Sequence, residues 1–176
     1  GLVIIGVHTP EFDFEKVTQN VKDAMQKHGI EYRVVQDNDY ATWRNFNNRY
    51  WPRKYLIDAD GYVRYDHIGE GAYDETEEKI RELLTEAGYD ISTMPSSTVT
   101  DTTPDFPQTP ELYAGYNFNL PRGQNIGNAG GLKAGTTATY TLPIDIDEDT
   151  IYLSGKWISN EQSLEAAEDN AKIVLN

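Results

Sequence analysis

Between Ser92 and Pro110 the chain carries mainly Ser, Thr, Pro and Asp, with no hydrophobic period. A stretch of that kind cannot bury enough apolar surface to order itself as a helix or strand. It reads as a linker, and it argues against one continuous core. The chain has 176 residues, 38% of them hydrophobic, which suffices for one real core or two small ones. The expected division is residues 1–91, a linker at 92–110, and residues 111–176.

The first part alternates strand and helix signals. Leu2 to Val7 is a short β-branched run of buried-strand type. Phe14, Val17, Val21, Ala24 and His28 recur at helical spacing, and Gly29 closes that helix. His28 then reads as a core histidine near the helix C-terminus. Glu31 to Val35 is a second strand. Asp37-Asn38-Asp39 supplies an N-cap for a short helix with Tyr40, Trp43 and Phe46 or Asn47 on one face. Lys54 to Asp58 and Tyr62 to Ile68 are strands joined by a hairpin turn at Asp58-Ala59-Asp60-Gly61. Asp74 and Glu77 read as a capping box before the helix of Ile80, Leu83, Leu84 and Ala87. Helices between the early strands imply parallel crossovers, and the last two strands should pair antiparallel.

Beyond the linker, Thr137 to Leu142, Ile151 to Ser159 and Ala171 to Leu175 suggest antiparallel strands of a β domain. Glu161 to Glu168 reads as a short helix or a polar loop. The chain opens inside an apolar strand without Met and closes inside another. It therefore reads as a piece of a longer protein, with both domains incomplete.

Composition removes several chemistries. There is no cysteine, so the chain itself performs no thiol, disulfide or cysteine–zinc reaction. A net charge of −14 argues against nucleic acid and against an anionic membrane surface. No apolar run approaches the roughly 20 residues of a membrane span. His8, His28 and His67 are dispersed, and no metal site is expected. Asp145 to Asp149 opens like a calcium loop, but Thr150 and Lys156 stand where an EF-hand needs Gly and Glu. Gly69-Glu70-Gly71 and Gly127-Asn128-Ala129-Gly130-Gly131 lack the residues of a dinucleotide or phosphate loop. No cofactor is implied. Trp51-Pro52 is more informative, because aromatic–Pro bonds favour the cis form; an ordinary trans proline opening an edge strand is the alternative.

Several stretches together resemble the thioredoxin-like domain of the DipZ family of membrane thiol:disulfide interchange proteins, relatives of the TlpA-type thioredoxins. They are Val3-Ile4-Ile5-Gly6-Val7-His8-Thr9-Pro10-Glu11-Phe12, Asp37-Asn38-Asp39-Tyr40 with Thr42-Trp43, Tyr50-Trp51-Pro52 leading into Tyr55-Leu56-Ile57-Asp58, and His67-Ile68-Gly69-Glu70-Gly71. Pro110-Glu111-Leu112-Tyr113-Ala114-Gly115-Tyr116 looks like the opening of the carbohydrate-binding-module-like β domain that follows in that family. The resemblance implies an α/β thioredoxin-like fold followed by an all-β sandwich-like domain. It places Trp51 and Pro52 in a cis-Pro loop that docks an extended substrate segment.

In that family a CcdA-like membrane electron donor feeds a CxxC at a helix N-terminus, whose thiolate attacks substrate disulfides. The resemblance thus implies disulfide-bearing protein substrates and an extracytoplasmic, membrane-attached setting. The CxxC unit precedes the strand at Leu2 in the family and does not occur in this sequence. Its absence implies a redox-inactive chain and an exposed apolar sheet edge. Marginal stability or self-association is expected; a monodisperse monomer in ultracentrifugation with a cooperative melt would oppose it. The alternatives are a carbohydrate-binding module, with Tyr113, Tyr116 and Trp157 stacking on sugar rings, and a structural domain without catalysis.

Overall fold

The computed structural model describes residues 1–98, 100–103 and 110–175. The chain divides into two compact units, Gly1–Asp105 and Phe106–Asn176. The division falls inside the expected linker. Its first part, up to Thr103, packs with the first unit, while Val99 and residues 104–109 lie outside the described residues.

In the first unit, β1 (Ile5–His8) pairs in parallel with β2 (Arg33–Gln36), and α1 (Thr18–Lys27) makes the crossover between them. The crossover is what allows the parallel pairing. α1 ends where Gly29 adopts φ 64°, and the Ile30 N–H reaches back to the Met25 carbonyl at 2.9 Å. A short helix, α2 (Ala41–Asn45), leads to an antiparallel hairpin of β3 (Arg53–Ile57) and β4 (Val63–Ile68). The hairpin turn is organised by Asp58, whose carboxylate accepts from the Asp60 and Tyr62 N–H groups. α3 (Tyr73–Glu86) follows. Among the described residues no ladder joins the β1–β2 pair to the β3–β4 pair.

The second unit is built around β6 (Ile151–Ser159). One edge of β6 pairs with β5 (Thr137–Tyr140). Its other edge pairs first with β8 (Lys172–Leu175) through Ile151 to Ser154, then with β7 (Leu164–Ala166) through Trp157 to Ser159. Gly155 stands at the changeover with φ 84°. A Cβ there would sit 3.0 Å from the Ala171 backbone, so a larger residue would push the returning chain away. β7 occupies part of the segment expected as a helix or loop, and sequence reading gave no sign of the one-turn α4 (Tyr116–Asn119). Ile126, Leu132, Tyr140, Ile151, Leu153 and Trp157 form the core.

Two local expectations need correction. His28 is exposed at the end of α1 rather than buried in a core, because α1 packs only along Val21 and Met25. The capping box at Asp74 does not form. Ala72 occupies the N-cap of α3 in a left-handed conformation, and its side chain offers no acceptor.

Candidate functional site

The loops that follow β1 and β2 meet beside the start of β3. The His8 carbonyl accepts from the Asp37 N–H at 2.8 Å, extending the parallel pair by one bond. The chain then turns, and Asp37 becomes buried. Its carboxylate accepts from the Thr42 N–H at 2.9 Å, the Trp43 N–H at 2.8 Å and the Thr9 hydroxyl at 3.4 Å. The first two are donors that the opening turn of a helix leaves without intrahelical partners. Asp37 thus starts α2 from outside it, while Tyr40 holds the N-cap position with φ 57°. Burial opposes ionisation of Asp37. The Trp43 and Thr42 N–H groups and the Thr9 hydroxyl outweigh it and hold the carboxyl below its ordinary range.

α2 sets Trp43 against Trp51, with ring centroids 4.2 Å apart and planes tilted by 37°. The Trp51 indole N–H donates to the Thr9 carbonyl at 3.2 Å. Tyr40 donates its hydroxyl to the Pro10 carbonyl, and its ring meets Trp43 edge-on at 6.0 Å. Two segments distant in sequence, at Thr9 and at Trp43, therefore fix the indole of Trp51, a residue that stays 51% exposed. The Trp51–Pro52 peptide bond is cis. Among the described residues no hydrogen bond takes the Trp51 backbone N–H or carbonyl, whereas the Pro52 carbonyl accepts from the Gly69 N–H at 2.9 Å. The loop offers aromatic surface and backbone hydrogen-bonding groups, which is binding chemistry.

Sequence reasoning named Trp51 and Pro52 but not their support. Asp37 was visible as a helix-starting acid. Thr9 contributes through its carbonyl and hydroxyl, and no residue pattern signals that. The ring nitrogens of His8 and His67 lie 3.0 Å from the carbonyls of Glu15 and Glu70, so both histidines serve local turns.

In the second unit the three aromatic candidates mostly point inward. Trp157 is only 8% exposed, lies in the core and donates its indole N–H to the Ser154 carbonyl at 3.0 Å. Tyr116 packs against the same core. Tyr113 is buried, stacked on Phe118 at 5.5 Å, with the Arg122 guanidinium 4.1 Å above its ring. The rings of Tyr113 and Trp157 pack rather than face solvent.

Residues 109–176, a span that includes every described residue of the second unit, match the family model of the thioredoxin like C-terminal domain. Along its whole length the chain is 42% identical to Protein DipZ of Mycobacterium bovis and of Mycobacterium tuberculosis, in alignments of 178 residues. This chain is DipZ-like. It spans 25% of the length of those relatives. The match runs through both units, so their order along the chain is shared with DipZ. The human NHL repeat-containing protein 2 is 36% identical over 75 residues, which is 43% of this chain and 10% of that protein. A solution structure of a thioredoxin-like protein in the oxidized form is 26% identical, covers 47% of this chain and 55% of its own, and superposes with a TM-score of 0.42. Among the described residues no helix is long and apolar enough to cross a membrane.

Proposed function

We propose that this chain serves thiol:disulfide interchange as a docking part: the Trp51–Pro52 loop receives an extended segment of a disulfide-bearing protein. The observation that carries the reading is the seat of Trp51. Its indole is fixed by Thr9 and Trp43, half of it faces solvent, and its backbone polar groups have no partner among the described residues. An extended chain can pair with those groups while an apolar side chain lies on the indole. The likeness to DipZ supports the same reading. The chain has no cysteine, so the exchanging sulfurs belong to a CxxC outside it, fed by a membrane electron donor in an extracytoplasmic setting.

A cysteine-free extended peptide, titrated while tryptophan fluorescence is read, tests docking. Binding should saturate, and Trp51→Ala should weaken it about tenfold. A flat titration with the unaltered chain would sink the reading. The companion assay is dithiothreitol-driven reduction of insulin. The chain should leave its rate unchanged, and acceleration would contradict the assignment of the sulfurs elsewhere.

A further inference from the structure

Charge is spread unevenly along this chain. Residues 40–57 hold Arg44, Arg49, Arg53 and Lys54 and neither Asp nor Glu, so all 29 acidic residues lie outside the segment that carries α2 and the docking loop. In a chain of net charge −14 this is a cationic stretch on an acidic background.

Two of the four cations are committed to the fold. Arg53 donates from Nε and Nη2 to the Asp66 carboxylate at 3.0 and 2.6 Å. Lys54 donates to the Gly71 carbonyl at 2.6 Å and to the Thr76 hydroxyl at 3.2 Å. The other two are not. Arg44 and Arg49 are exposed, and among the described residues neither guanidinium has a hydrogen-bond or ion-pair partner.

Both stand beside the stacked indoles. Arg44 follows Trp43 directly, and Arg49 lies two residues before Trp51, at most about 7 Å of chain. Asn48 fixes the backbone between them. Its N–H donates to the Trp43 carbonyl at 2.9 Å, its side-chain oxygen accepts from the Arg49 N–H at 2.9 Å, and its side-chain amide donates to the Tyr50 carbonyl at 3.1 Å. Phe46 and Tyr50, 37% and 50% exposed, add aromatic surface. Carboxylates of the adjoining loops are engaged locally. Asp37 takes the Thr42 and Trp43 N–H groups, and Glu15 takes those of Glu11 and Phe12 at 2.6 and 3.1 Å. A guanidinium presents a planar fork that fits a carboxylate and is weakly hydrated.

We propose that the docking loop selects extended segments that carry Asp or Glu beside an apolar residue, and that Arg44 and Arg49 determine this specificity. The inference rests on the docking reading above and names the class of segment received. The guanidinium groups take the segment's carboxylates while its apolar residue lies on Trp51. The acidic remainder of the surface repels such a segment, so attraction is confined to this stretch.

The test uses the whole chain and three cysteine-free peptides of equal length that share one apolar residue, flanked by Glu, by Gln or by Lys. Tryptophan fluorescence gives each Kd. The Glu peptide should bind about fivefold tighter than the Gln peptide, and the Lys peptide more weakly than either. Raising the salt from about 0.05 to 0.5 M should erase most of that difference. Arg44→Gln with Arg49→Gln should bring the two Kd values together. Lys22→Gln with Lys27→Gln, at exposed positions of α1, alters net charge equally and should preserve the preference. Equal or weaker binding of the Glu peptide, or a preference that survives loss of both arginines, would overturn the inference and leave docking standing. Absence of binding by all three peptides would overturn docking, and this inference with it. If the arginine variant fails to fold, the unaltered chain decides: a preference insensitive to salt would overturn the inference.

Discussion

The two units handle apolar surface in opposite ways. In the second, Leu153 is fully covered and Ile126, Ile151 and Trp157 close around it. In the first, the described buried side chains are polar or small, Thr9, Pro10 and Asp37 among them, while Ile5, Val7, Ile57, Val63 and Ile68 on its strands stay about half exposed. The strand sequences alone do not explain this, because both units have β-branched runs. The difference lies in pairing. β6 has paired neighbours on both edges, and Ile126, Leu132 and Tyr140 pack against its Ile151, Leu153 and Trp157. The first unit's strands form two separate pairs. Hydrophobic content stabilises only where topology encloses it. The docking loop is accordingly held by the Trp51 bond to the Thr9 carbonyl and by Trp43 of α2, whose first turn Asp37 anchors, rather than by a surrounding core.

Core truncation should separate the units most sharply. Leu153→Ala should cost about 2–5 kcal/mol, whereas Ile5→Ala, at a site 60% exposed, should cost less than about 0.5 kcal/mol. Denaturant titration checks both, and equal losses would break the comparison. The next effect is polar. Asn128 is buried, donates to the Thr141 and Leu153 carbonyls and accepts from the Leu153 N–H, acting as a short extra piece of strand beside β6. Asn128→Ala should cost about 1–3 kcal/mol by the same titration. Asn128→Asp should be no milder, since a carboxylate cannot donate.

Acid offers a smaller, local lever on the first unit. The folded pKa of Asp37 lies below its unfolded value. Its contribution is therefore present above the ordinary carboxylate pKa of about 3.9 and is lost as pH falls through the folded value. Acid should release α2 and change the Trp43–Trp51 fluorescence. Asp37→Asn should show the released spectrum already at neutral pH and lack this transition. At the bottom of the scale, Arg64 bridges Asp58 and Glu86 at an exposed site. Arg64→Ala should leave the melting temperature unchanged within error.

Local rules made much of the α/β order legible. The helix between the early strands pointed to the parallel β1–β2 pairing, and the Asp58–Gly61 turn to the β3–β4 hairpin. Ile151 to Ser159 emerged with the same bounds in sequence and structure. The misreadings share one cause, which is that distant partners override neighbours. Asp74 and Glu77 have the spacing of a capping box, yet Ala72 takes the N-cap position of α3 in a left-handed conformation. Glu77 bonds instead to Arg81 and Ser97. Composition marked residues 92–110 as a spacer, but it could not show backbone carbonyls caught by Arg81. At the candidate site, Trp51 and Pro52 were readable, while the Thr9 carbonyl that fixes the indole has no sequence signature.

Native-state amide hydrogen exchange, read residue by residue, tests the contrast between the units most directly. The account predicts that the amides of Leu153 and Trp157 exchange only through full opening of the second unit. Those of Val7 and Leu56 should exchange much faster, through openings that leave the second unit intact. Equal protection at all four positions would contradict it, because the first unit would then be as fully enclosed as the second.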